Sequence, residues 1–283
     1  MSNYGTLPQT NRQSNNDNAT PSDEEHASLL ANNNKSPLTR LQTHLTTPIS
    51  TTWTDIPLLS CYLITGLLDS SATSTWGAFV SMQTGNTVYL GLGVFSPTAG
   101  SSDRWARGLI AIAAFCFGSF VFSRFHRFFG GRKRWVIVSS YLFQLLFILA
   151  AALMTRFDPS SDPPKGRSID VFTAVPLALL AFQAGGQAVI SRVLGFGALT
   201  SVVLTSIYCD LWSDEKVLNW KAKDPERNRR AAAVVLLLVG AIAGGAWERS
   251  SIGLQGALWT AVGLKGVLIG VWCVWKAEKS SET

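Results

Sequence analysis

Asp69, Asn86, Gln183, Gln187, Arg192 and Lys265 stand in or beside stretches that are otherwise apolar. A charge at the centre of a membrane helix costs about 2.5–3.5 kcal/mol on insertion scales, so such groups persist where they meet one another, water or a solute. The chemistry open to them is recognition and proton exchange. Nothing points to bond cleavage: there is no HExxH pair, no CxxC and no Cys/His spacing suited to a metal. His26, His44 and His126 fall outside the expected spans, and Cys61, Cys116, Cys209 and Cys273 are isolated in apolar runs, where they read as packing residues. Neither enzymatic activity, a cofactor nor a metal is expected.

The richest of these stretches is residues 66–93, GLLDSSATSTWGAFVSMQTGNTVYLGLG, which combines an acid, a Ser/Thr run and the polar knot Gln83-Thr84-Gly85-Asn86-Thr87. A uniform membrane helix excludes such a cluster, because every polar group in hydrocarbon needs a partner, so the backbone is expected to break here. Lys265 is the clearest intramembrane charge, central in LQGALWTAVGLKGVLIGVWCVW and too deep to snorkel easily. Its expected partner is a carboxylate, Asp69 or Asp210, although Asp210 precedes a basic loop and reads equally as a solvated residue.

The elements that must position these groups are helices. Of 283 residues, 47% are hydrophobic, but residues 1–55 are polar, and beyond them long apolar runs alternate with short basic segments. The runs cover about 56–95, 106–123, 135–155, 171–211, 231–249 and 254–275. Four have the length of one crossing; the first and fourth are about twice that and are interrupted by Gly and polar residues. Each of these two is a discontinuous helix, a span with a re-entrant half, or a helical hairpin.

Counting each run as one crossing makes an all-α, polytopic bundle of about six spans. This count puts fifteen Lys and Arg on the N-terminal side and six on the other, so both termini are expected in the cytosol. Eight spans would turn the basic segment 124–134 outward, against that rule. The same distribution explains the net charge of +6 without a nucleic acid partner. Residues 1–55 read as a disordered cytosolic tail, 56–275 as the membrane domain and 276–283 as a short cytosolic tail. No signal peptide is expected, the first span acting as its own insertion signal. Glu25, Leu29 and Leu30 form an acidic dileucine-type sorting motif, which implies adaptor proteins as partners and an endosomal or vacuolar membrane, with the plasma membrane as the alternative. Asn18-Ala19-Thr20 is a glycosylation sequon that would need a lumenal tail, so the two motifs imply opposite sides.

The two long runs resemble each other at an offset of 116 residues: Asp69 falls on Gly185, Ser71 on Gln187 and Thr84 on Thr200. Each passes from an apolar helix through a polar break into a Thr-bearing segment, and two simpler spans follow each. That makes a three-plus-three repeat with halves 56–155 and 171–275, inverted because three is odd; the alternative is two unrelated segments with chance matches. In such repeats paired broken helices form a site near mid-membrane. The candidate solute-binding residues are Asp69, Thr84, Asn86 and Thr87 from the first break and Gln183, Gln187, Arg192, Thr200 and Thr205 from the second, with Asp69 and Asn86 expected to face Gln187 and Thr200. Were uptake coupled to protons, Asp69 would be the carrier.

The same stretch resembles the opening element of the YoaK-like membrane proteins, a family catalogued as a domain of unknown function, in a fungal-type form. In that family a Gly-x-x-Asp segment precedes a Met-(Thr/Ser)-Gly-Asn-Thr element. Gly66, Asp69, Thr84, Gly85, Asn86 and Thr87 match, while Gln83 stands in place of the usual Met. In FQAGGQAVISRVLGFGALTSVVLTSIYCDL, Gln183, Arg192, Thr200 and Thr205 match the family's later segment, with Thr205-Ser206 in place of its Thr-Gly pair. The resemblance implies a multi-span membrane protein and no particular substrate. The expected function is a small-solute transporter in the lipid bilayer, and the alternative is a non-transporting scaffold or accessory subunit whose polar residues fasten helices together.

Overall fold

The computed structural model describes residues 36–95, 103–159, 169–215, 217 and 224–278. The first unit, Met1–Leu45, is described only from residue 36. It contributes most of α1, Pro37–Thr46, which opens on a Ser-Pro start: the Ser36 hydroxyl accepts the Thr39 amide at 3.3 Å and Pro37 takes the first helical position. Residues 37–46, expected within a disordered tail, form this helix. Glu25, Leu29 and Leu30 lie outside the described residues.

The second unit, Thr46–Thr283, carries α2 Asp55–Trp76, α3 Gln83–Phe95, α4 Arg104–Phe129, α5 Arg134–Arg156, α6 Val171–Val193, α7 Thr205–Trp212, α8 Pro225–Arg249 and α9 Leu254–Val274. Six of them (α2, α4, α5, α6, α8, α9) are long and apolar enough to cross a membrane. At 1.5 Å per residue, 21–26 residues reach about 32–39 Å, enough for about 30 Å of hydrocarbon. The protein is an all-α, multi-pass integral membrane protein.

Helix ends are set locally. Asp170 caps α6 by accepting the Thr173 amide, and Asp224 caps α8 from Glu226 and Arg227 with Pro225 at the first position. At the end of α2, Gly77 takes the left-handed conformation (φ 74°) and donates its amide to Thr73, which turns the chain back. The extended segment 47–50 lies against the α4–α5 turn and the C-terminal segment: the Ile49 amide donates to Arg132 at 2.9 Å, the Ser50 amide to Lys276 at 2.9 Å and the Glu278 amide to Pro48 at 2.9 Å. Ile49 is wholly buried there, so residues 47–54 and 276–278, expected within the two tails, are part of the folded body.

These contacts define a near face, where α2 begins and α4 and α9 end. On the far face Arg107 Nη1 donates to the Trp76 carbonyl at 2.8 Å, the Ile169 amide to Asp103 at 3.2 Å and Gln255 Nε2 to Thr155 at 2.7 Å. The six long helices accordingly alternate in direction, and the halves α2–α4–α5 and α6–α8–α9 are inverted. Packing follows the same symmetry. α2 runs parallel to α8 along its length and α4 parallel to α6, while α5 meets α6 as α9 meets α2, and α5 and α9 face each other across the middle.

Small residues permit both main crossings. A Cβ on Gly66 would sit 2.0 Å from the Leu237 carbonyl oxygen and one on Gly240 2.1 Å from that of Leu63, and a Cβ on Gly118 would meet Phe182 O at 2.2 Å and one on Gly185 Phe115 O at 2.5 Å. Gly66 and Gly185 are thus equivalent positions, 119 residues apart and about one helical turn from the offset read in the sequence. The slip has a plain cause: the first break spans 77–82 and the second 194–204, so no single offset aligns both the long helices and the short ones after them.

Candidate functional site

Each long run is a full crossing followed by a re-entrant segment. After Gly77 the chain dives back along α2 until the amides of Val80 and Ser81 reach Asp69, which stands fourteen residues past Asp55 and so about 21 Å up the helix. α3 then climbs to the far face, where a Cβ on Gly93 would meet Trp105 at the start of α4. Of the three arrangements left open for this run, it is the span with a re-entrant half. The second run repeats the device with opposite sense: α6 reaches the near face, residues 194–204 fold back until Ser201 touches Gln187, and α7 returns.

The first break is held by two side chains. Asp69 Oδ1 accepts Val80 N at 2.8 Å and Ser81 N at 2.9 Å, and its Oδ2 accepts the Ser81 hydroxyl. This is a carboxylate used as a cap for non-helical backbone inside the bundle. Asn86 closes the loop from the other end: Oδ1 accepts Phe79 N at 2.9 Å, and Nδ2 donates to Phe79 O at 2.7 Å and to Gln83 Oε1 at 2.7 Å. Both are buried, and both face their own break. The expectation that Asp69 and Asn86 face Gln187 and Thr200 is corrected, because the backbone amides freed by the break lie nearer than the other half does.

Gln187 belongs to a second cluster centred on Lys265. The ammonium, wholly buried at the middle of α9, donates to Gln144 Oε1 and Gln187 Oε1, each at 2.6 Å, and lies 5.0 Å from the centre of the Tyr141 ring. Gln187 Nε2 in turn lies within hydrogen-bonding distance of Ser201 Oγ (2.7 Å), Thr65 Oγ1 (2.9 Å) and the Cys61 carbonyl (3.2 Å). The expected carboxylate partner is therefore corrected too. Two amide carbonyls and an aromatic face serve the cation, Asp69 is occupied elsewhere, and Asp210 is exposed on α7. Gln144 and Ser201 went unrecognised in the sequence. A lone amide within LFQLLF was the available clue to the first; nothing marked the second.

The remaining candidates divide. Thr200 and Gln183 are buried, the latter with Oε1 unpartnered; Thr84, Thr87, Thr205 and Arg192 are exposed. Thr84 and Arg192 come together on a cavity of about 390 Å³ that also touches Ser81, Gln83, Ser119 and Val202. Both breaks thus contribute to its wall. Through Ser123, Val189 and Arg192 it adjoins a second space of about 450 Å³ lined by His126, Arg127 and Arg132 near the α4–α5 turn, which places its mouth on the near face. His126, expected outside the spans, is a buried residue of α4, with Nδ1 3.4 Å from Gly131 O and Nε2 3.2 Å from Ser140 Oγ. Of the cysteines only Cys61 is buried; Cys116 and Cys209 are exposed. Among the described residues no three His, Cys, Asp or Glu side chains gather to hold a metal.

Residues 58–271 match a family model described as "Protein of unknown function (DUF1275)". The chain belongs to this family. No curated protein and no solved structure matches it. The DUF1275 region takes in both breaks, Asp69, Gln187 and Lys265 and leaves residues 1–57 outside. The matched region covers most of the membrane domain with its two re-entrant segments.

Proposed function

We propose that this DUF1275 protein moves a small polar solute across the membrane by rocking its two inverted halves about the paired breaks. One observation carries the reading: segments from both halves, Ser81, Gln83 and Thr84 from one and Arg192 and Val202 from the other, wall a single cavity. The cavity adjoins the space lined by Arg127 and Arg132 beside the near-face α4–α5 turn. Asp69 links charge to motion: protonation at Oδ2 replaces an acceptor for the Ser81 hydroxyl by a donor while Oδ1 keeps both amides, which loosens one of the three bonds that hold the first break. A non-transporting scaffold is the second reading, favoured by how fully Asp69 and Asn86 are spent on their own backbone.

Uptake into liposomes containing the purified protein separates the two. A proton gradient is expected to drive solute accumulation that Asp69→Asn abolishes, with the variant still folded because its remaining carbonyl oxygen can accept both amides. Absence of uptake for anionic, cationic and neutral solutes alike overturns transport.

Orientation is argued from the basic residues of the near face: we place that face, and both termini, in the cytosol. Cysteine introduced at Pro159 is expected to label from outside the cell and at Glu215 only after permeabilisation; the reverse pattern refutes the orientation. Plasma or endosomal and vacuolar membranes, and adaptor proteins acting on Glu25, Leu29 and Leu30, belong to the same proposal, as does the YoaK-like, fungal-type affinity within the family. Unchanged location of a tagged Leu29→Ala/Leu30→Ala protein removes the sorting motif.

A further inference from the structure

The wall of the two adjoining cavities has a one-sided charge. Arg192 reaches both, Arg127 and Arg132 line the outer one, and no Asp or Glu is among the described residues that line either. Arg192 gives one N–H to the Ala188 carbonyl at 2.9 Å, and a guanidinium has five. Arg132 stands only loosely against Glu278, at 3.9 Å with both side chains about half exposed, so its charge is screened and not cancelled. Gln83 and Thr84 form the first turn of the thirteen-residue α3, whose end carries partial positive charge although the Gln83 amide donates to Ser81 O at 3.1 Å and the Gly85 amide to Met82 O at 3.2 Å. Hydroxyls of Thr84, Ser119 and Ser123 add to the polar part of a wall whose remainder is Phe115, Ala188, Val189, Val202 and Val203. Asp69, bonded to the lining residue Ser81, has its oxygens turned onto Val80 and Ser81. His126 offers nothing to the cavity, since both ring nitrogens lie against protein oxygens.

We infer that this cavity takes an oxyanion group, a carboxylate or phosphate, with Arg192 as its charged anchor and the start of α3 as its inner end. The inference rests on the transport reading for its consequence, because the bound group would then be that of the transported solute. The same chemistry is presented by a lipid headgroup at the near face, and the bilayer composition separates the two sources. Arg192 is the informative position because it alone of the three arginines touches both spaces.

The test uses full-length protein in nanodiscs of neutral phosphatidylcholine, titrated with inorganic phosphate or acetate against chloride at matched ionic strength. Binding is read by calorimetry and by the thermal midpoint. Phosphate or acetate is expected to bind and raise the midpoint where chloride does not. Arg192→Gln is expected to weaken that binding about tenfold or more, the usual consequence of losing a charge-assisted pair. Should Arg192→Gln fail to fold, Arg127→Gln, at an exposed position, is expected to weaken it less but measurably. Stabilisation seen only in phosphatidylglycerol nanodiscs and lost in Arg192→Gln keeps the oxyanion chemistry and assigns its source to the headgroup. No oxyanion effect in either bilayer, or one that both variants leave intact, overturns the inference. Its failure is distinguishable from failure of transport: liposomes that accumulate a cation or neutral solute without oxyanion binding retain the transporter and lose the anion. Phosphate binding without any flux does the opposite.

Discussion

Gln187→Leu is expected to destabilise the protein by about 3–5 kcal/mol, the range seen when a buried charge loses a partner. The substitution removes one of the two carbonyls that hold the Lys265 ammonium and, at the same time, the amide donor facing Ser201, Thr65 and the Cys61 carbonyl. It therefore strands a cation and releases the second break together. Lys265→Met is expected to cost less, about 1–3 kcal/mol, because it removes the charge and leaves only neutral amide oxygens short of a donor. Combining the two relieves the stranded charge, so the double variant should lie below the sum of the singles by about 1–3 kcal/mol. Reversible unfolding in mixed micelles measures all three. Additive costs, or a Gln187→Leu effect within about 0.5 kcal/mol of zero on the scale of uncoupled sites, would show that Gln187 and Lys265 are not energetically coupled.

The second large effect lies at the helix crossings. Gly66→Ala places a methyl 2.0 Å from the Leu237 carbonyl oxygen and 2.8 Å from the Ala241 amide nitrogen, and Gly240→Ala places one 2.1 Å from the Leu63 carbonyl oxygen. The obstacles are backbone atoms in helices, which have no rotamer into which they can retreat. α2 and α8 must then separate, loosening contacts along both and pulling on the Arg229–Asp55 ion pair (2.7 Å) at their near ends. Each change is expected to cost about 1–3 kcal/mol or more, as overpacking does in tight interiors. Inverted symmetry makes the same demand at the other crossing, so Gly185→Ala, with Phe115 O at 2.5 Å, should match Gly66→Ala in sign and rough size. Gly263→Ala and Gly270→Ala are the controls: nothing lies within 4 Å of either new methyl, and helix propensity alone predicts a gain of up to about 1 kcal/mol. Equal effects at Gly66 and Gly263 in the same unfolding measurement would refute close approach as the role of the first.

The Gly263 and Gly270 controls also show where pattern reading stops. Gly240-x-x-x-Gly244, Gly266-x-x-x-Gly270 and Ala114-x-x-x-Gly118 are alike as small-residue spacings, yet Gly240, Gly244 and Gly118 lie on neighbouring helices and Gly270 meets nothing. Spacing states that a helix can be approached closely, not from which side.

The spans themselves were legible in the sequence, because length and hydropathy answer to the thickness of the bilayer and to little else; the six runs became six long apolar helices. The two breaks were legible for the same reason, since GLLDSSATSTWGAFVSMQTGNT cannot keep its polar groups on one uniform helix in hydrocarbon. Even the inverted pairing of the halves left its trace in matched composition. What only the tertiary structure decided is which polar group meets which. A buried donor or acceptor is satisfied by whatever lies within about 3 Å, and that depends on how far a re-entrant segment folds back and where two helices cross. Asp69 thus capped Val80 and Ser81, one turn of chain after Gly77, and left Lys265 to Gln144 and Gln187 from two other helices. Arg192, which in sequence is one more charge at a helix end, became the residue that both cavities share, because α4 and α6 run side by side there.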